Sequence, residues 1–173
     1  TIRPAAVAGM FYPESAIVLA RDVERMLAAV PPAARAPQPK AIIAPHAGYV
    51  YSGPVAASIY APLIALRGAV SRVVLLGPTH RVAADGLALP ASRAFATPLG
   101  MIPIDQHAVA AIVDLPQVIV SEAAHAQEHS LEVQLPFLQT VLGDFSLLPL
   151  AVGDASAEAV AEAAHRDEES GEH

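Results

Sequence analysis

The sequence predicts a layered α/β/α domain built on a largely parallel central sheet, and three observations carry that expectation. Short apolar runs such as Arg72–Leu76 (RVVLL) and Phe145–Val152 (FSLLPLAV) lack polar alternation, as strands covered on both faces do. Stretches with helical spacing and recognisable caps lie between these runs. The length of 173 residues is close to one average domain of ~150 residues, enough to bury a core without covalent staples. Hydrophobic residues at 54% and charged residues at 16% exclude whole-chain disorder, even though 37 of the former are alanines.

In chain order, the first helix is expected over Ser15–Ala29, capped by Ser15 and stopped by Pro31. Its stripe runs through Ile17, Val18, Arg21, Val23, Met26 and Leu27. Pro31–Pro39 reads as an extended, polyproline-like connector. Lys40–Ala44 (KAIIA), ended by Pro45, is the expected first core strand, followed by a helix over Val55–Leu66. Arg72–Leu76 is the second strand, ended by Gly77-Pro78, and a loop-rich segment then runs to Thr97-Pro98-Leu99-Gly100. A helix near Gln106–Val113, with Asp105 as its cap, precedes a strand near Val118–Val120. His129–Leu142 predicts a helix that Pro136 kinks or splits. Phe145–Val152 is the last strand, and Ala155–Ala164 an alanine-rich helix. Residues 1–153 thus read as one domain, and 154–173 as that helix running into an acidic, disordered tail.

The net charge of -7 is unevenly spread. Residues 1–153 hold ten acids and nine bases, whereas 154–173 hold seven acids and one base. No basic stripe exists, so nucleic acid and anionic membranes are not expected partners. No apolar run approaches the ~20 residues of a membrane span, and Thr1-Ile2-Arg3-Pro4 does not begin a signal peptide. The absence of cysteine removes disulfides, thiolate zinc sites and cysteine nucleophiles, and fits a cytoplasmic location.

Two histidines carry the strongest chemical signal. His46 follows the expected first strand in Ala44-Pro45-His46-Ala47-Gly48-Tyr49, and His80 follows the second in Gly77-Pro78-Thr79-His80. The 34 residues between them fit one strand–helix–strand unit, which would place both at the carboxyl edge of a parallel sheet, where open α/β folds bind ligands. Two imidazoles leaving adjacent strands ~4.8 Å apart can meet one metal ion. A second cluster, His125-Ala126-Gln127-Glu128-His129, also matches the inverted zincin pattern H-x-x-E-H, with both histidines on one helical face. The reading favoured here instead sets His129 and Glu128 beside the strand-end pocket as acid/base or hydrogen-bonding groups. Glu128 and Glu132 also suit a helix's first turn. Tyr49, Tyr51 and Ser52 are candidate pocket residues, while Gly9-Met10-Phe11-Tyr12-Pro13 reads as an aromatic turn packed on the body.

Five ordered strings resemble one family. Arg3-Pro4 with Ala8-Gly9-Met10-Phe11-Tyr12-Pro13, Ala44 to Gly53 (APHAGYVYSG), Leu76 to His80 (LGPTH), Thr97-Pro98-Leu99-Gly100 with Asp105, and Glu128 to Leu138 (EHSLEVQLPFL) resemble the Memo-like proteins. In microbes such a protein is similar to component B of the AmmeMemoRadiSam system. The match runs from Arg3 to about Val152. The family in turn resembles class III extradiol dioxygenases, which implies their fold and a non-heme Fe(II) site open to a catechol-like substrate and O2. His46 and His80 correspond to its two histidines, and another divalent metal is the alternative cofactor. The resemblance also implies a third ligand and a cysteine from a C-terminal third that this chain does not reach, so a shortened member is expected. It further implies a small aromatic molecule or a peptide as partner, the latter in a non-catalytic binding role. A sheet edge left open by the shortening would favour a homodimer.

Overall fold

The computed structural model describes residues 1–32 and 38–170. The middle of the predicted connector and the last three residues of the acidic tail lie outside the described residues. The elements are β1 (Ile2–Arg3), α1 (Ala16–Ala28), α2 (Tyr49–Tyr60), a 3-10 turn (Ala61–Leu66), β2 (Arg72–Pro78) and β3 (Leu87–Leu89). They continue as β4 (Ala94–Thr97), β5 (Gly100–Pro103), α3 (Gln106–Ile112), β6 (Val118–Val120) and α4 (Glu122–Ala126). Last come α5 (His129–Glu132), α6 (Leu135–Leu142), β7 (Ser146–Val152) and α7 (Ala157–Ser170).

Two mixed sheets organise this α/β fold. The larger has the order β2-β7-β3-β6, with β2 parallel to β7 from Arg72–Ser146 to Pro78–Val152. In it β3 is antiparallel to β7 and parallel to β6. The smaller has the order β1-β4-β5, in which β1 runs parallel to β4 and the β4/β5 hairpin closes through Pro98-Leu99. The unbroken apolar sequence of β7 follows from its place, because both of its faces are buried. Leu147 faces a core shared with Leu19, Val23 and Leu27 of α1 and with Phe137 of α6. Leu148 and Leu150 face a second core with Leu87, Leu89, Ile112 and Ala163 beneath α3 and α7. Each such leucine contributes roughly 1.5–3 kcal/mol of burial.

Several expectations are corrected in detail. Ser15 does cap α1, accepting the Val18 N–H, but the buried stripe is Leu19, Val23 and Leu27, and Ile17 points to solvent. Lys40–Ala44 forms no strand: Ile42 and Ala44 pack against the core, Ile43 is 93% exposed, and β2 is an edge of its sheet. Helix α2 begins six residues earlier than expected, which moves Tyr49, Tyr51 and Ser52 onto its first turn. The segment read as loop-rich contains β3 and the hairpin, both too short to show periodicity. Pro136 splits the helix as expected, sitting in the first turn of α6. The alanine-rich helix continues to Ser170.

The charge-free stretch Tyr49–Leu66 is long and apolar enough for a membrane span, contrary to the sequence reading. Its inner residues Tyr49, Gly53, Ala56, Ala57 and Tyr60 are nonetheless packed into the core.

Candidate metal centre

Three loops converge above the carboxyl end of β2. His46 leaves an extended segment just before Gly48, the cap of α2. Its position is fixed from beneath: the Gln134 amide donates to the Pro45 carbonyl at 3.1 Å, and the Tyr60 hydroxyl donates to the Gln134 amide oxygen at 2.6 Å. His80 follows β2 by two residues. The turn there is tied down by Ser130, whose hydroxyl donates to the Pro78 carbonyl at 2.8 Å. Gly77 permits that approach, since a Cβ there would stand 2.7 Å from the Ser130 oxygen. His129 is the first residue of α5; its ring stacks on His80 at 4.5 Å and meets Phe11 at a tilt, 4.6 Å between centroids.

The three imidazoles surround one point. Ring centroids lie 5.1 Å apart for His46 and His80 and 5.7 Å apart for His46 and His129. One nitrogen from each ring lies within 4.8 Å of those from the other two, so the trio can hold a metal ion. Burial, with the neighbouring charges of His80, His46 and Arg81, lowers the His129 pKa and favours the neutral imidazole that a metal binds. The convergence of His46 and His80 matches the sequence reading, but its cause does not. His46 stands at a helix start rather than at the end of a paired strand.

Glu128 lies beneath the trio, 2% exposed in its side chain. One oxygen stands 2.8 Å from His80 Nδ1 and accepts the N–H groups of His129 and Ser130 at 2.9 Å, capping α5. The other accepts the His80 backbone N–H at 2.6 Å. Burial pushes its pKa up, but the Ser130 N–H and His80 outweigh this and hold it at about 2.

The other candidates separate. A cleft of about 610 Å³ opens beside the trio, walled by Met10, Phe11, Pro45, Gly48 and Tyr51 together with His46 and His129. Tyr51 therefore lines the cleft. Tyr49 is buried and donates to the Val133 carbonyl at 2.6 Å, and Ser52 donates to the Ala47 carbonyl at 3.1 Å. His125 is not part of the trio. Helix α4 ends before it could share a face with His129, and the His125 ring is buried with Nε2 2.7 Å from the Ala88 carbonyl. A zincin-like pair is therefore not formed.

Two features escaped sequence reasoning. Met10 and Phe11 wall the cleft instead of only packing on the body; the Tyr49 N–H donates to the Phe11 carbonyl at 2.8 Å and holds this turn against α2. Arg3 and Glu132 form a buried ion pair at 2.7 Å. Glu132 also accepts from the Tyr12 hydroxyl at 2.6 Å and from the Ala6 and Val7 N–H groups, while Arg3 donates to the carbonyls of His125 and Glu128. Both residues stand in the family-like strings, but nothing local in either string pairs them.

Comparison with known proteins identifies the family. A MEMO1 family protein of Ignicoccus hospitalis is 38% identical over 161 residues, covering 87% of this chain and 56% of that protein. One of Thermotoga neapolitana is 36% identical, covering 90% and 59%, and one of Methanothermobacter thermautotrophicus is 36% identical, covering 95% and 61%. The chain thus spans little more than half the length of these relatives. The Memo-like protein profile matches residues 3–169, which extends the likeness past Val152 and through most of α7. The strings around His46, His80 and His129 are the ones the fold gathers into one pocket, and with a match over nearly its whole length the chain belongs to the Memo-like protein family.

Proposed function

We propose that this chain is the metal-holding part of a cytoplasmic, non-heme oxidoreductase pocket resembling that of class III extradiol dioxygenases, with Fe(II) held by His46, His80 and His129. The observation that supports this most is the convergence of three imidazoles from separate loops beside an apolar cleft. The donor set admits iron as it admits other divalent first-row metals, since imidazole suits iron, zinc, copper and nickel, and both oxygens of Glu128 are already engaged. A ferrous ion bound there supplies open coordination positions to a catechol-like ring and O2. The chain's own residues bind and orient. Met10, Phe11 and Tyr51 offer apolar and aromatic surface to a small aromatic molecule.

Anaerobic calorimetric titration of metal-free protein tests it. The expected result is one Fe(II) per chain with micromolar or tighter affinity, lost in the His46→Ala, His80→Ala double variant. Absence of any divalent metal at micromolar concentration would overturn the reading. Unchanged affinity in His129→Ala would remove His129 from the ligand set.

A further inference from the structure

We propose that Glu128 is the positioning residue of this pocket: one carboxylate fixes the tautomer of His80 and, through its backbone grip, the place of His129. The inference deepens the metal-pocket reading, on which its affinity arm rests; its tautomer arm stands without any metal.

The geometry gives Glu128 a positioning role. Its two oxygens receive three backbone N–H groups, from His80, His129 and Ser130, so both act as acceptors. The His80 Nδ1 atom, 2.8 Å from the same carboxylate, must then be the protonated nitrogen. That leaves Nε2 as the free lone pair of His80. A carboxylate holding the far nitrogen of a ligand histidine is a recurrent way to orient a metal site, and its loss costs 10–100-fold in metal affinity. Here the same group also caps α5, so the ring of one histidine and the backbone of another are referred to a single buried point. Ser130 completes the clasp by binding the Pro78 carbonyl, two residues before His80.

Glu128→Asp separates positioning from capping. Aspartate is a good N-cap and keeps the negative charge, but it is one methylene shorter and cannot hold the cap and His80 together. Protein labelled with 15N-histidine, metal-free and near neutral pH, should show His80 with its proton on Nδ1. In Glu128→Asp the signal should move toward the Nε2–H form that free imidazole prefers. Co(II) affinity should fall 10–100-fold, with the thermal midpoint of the metal-free protein nearly unchanged. A wild-type His80 protonated on Nε2 would overturn the proposal, as would an Asp variant with unchanged tautomer and affinity. The expected tautomers in a protein that binds no metal would support this inference and sink the metal-pocket reading.

Discussion

Glu128 and Glu132 bracket the single turn of α5 and differ in what they face. Glu128 looks toward solvent-reached histidines and holds loops that carry the candidate ligands. Glu132, fully buried, faces the other way and collects Arg3, Tyr12 and the N–H groups of Ala6 and Val7. Arg3 bridges the two, since its guanidinium also donates to the Glu128 carbonyl at 2.8 Å. The first carboxylate orients a site, whereas the second fastens the N-terminal segment whose Met10 and Phe11 wall the cleft. Burial alone does not separate these roles. What separates them is whether the partner is a group left free to bind something else.

Variants can break this contrast, beginning with the largest effect. Glu132→Ala leaves Arg3 buried without its charge partner and should cost about 3–5 kcal/mol of unfolding free energy, read by denaturant melts. A loss below about 1 kcal/mol would mean that the pair does not fasten the fold. Arg3→Lys keeps the charge but cannot serve the His125, Glu128 and Glu132 acceptors together, so a loss of about 2–3 kcal/mol is expected in the same melts.

Asp105 offers an intermediate case, a partly buried carboxylate 2.7 Å from Arg72. Its burial raises the pKa, but the Ala108 N–H, Arg72 and Ser146 outweigh that and bring it to about 2 from 3.8. A depressed carboxylate pKa stabilises the fold above the unfolded value and loses that contribution as pH falls. Wild type should therefore exceed Asp105→Asn by on the order of 2 kcal/mol above pH ~4, and the gap should close between pH ~4 and ~2. Comparing the two proteins' stability across that range checks the sign. The smallest stability effect belongs to the pocket: His46→Ala should stay within about 0.5 kcal/mol of wild type in a thermal melt while abolishing tight metal binding.

The elements legible in the sequence were those whose signal is local. Arg72–Leu76 and Phe145–Val152 announced β2 and β7, Ser15 and Asp105 marked real caps, and Pro136 marked a real break. Lys40–Ala44 shows the limit, because an apolar run becomes a strand only when a neighbour offers a free ladder in register. The β4/β5 hairpin hid behind a turn that looked like a loop. In the pocket, His46 and His80 were visible from their motifs, and His129 as a neighbour. The pairing of Arg3 with Glu132 links positions 129 residues apart and leaves no local pattern to read. The same holds for the place of Phe11 over His129.

That separation also sets an order in time. At about 5–20 residues per second of synthesis, Arg3 waits roughly 6–26 s after it is made before Glu132 exists to receive it. Until then β1 also lacks β4, its partner in the smaller sheet, for much of the interval. The segment around Arg3 thus lacks its buried charge partner until Glu132 is made, and the wall carrying Met10 and Phe11 has no His129 ring to pack against before α5 exists. The third imidazole of the trio is made last, 49 residues after His80.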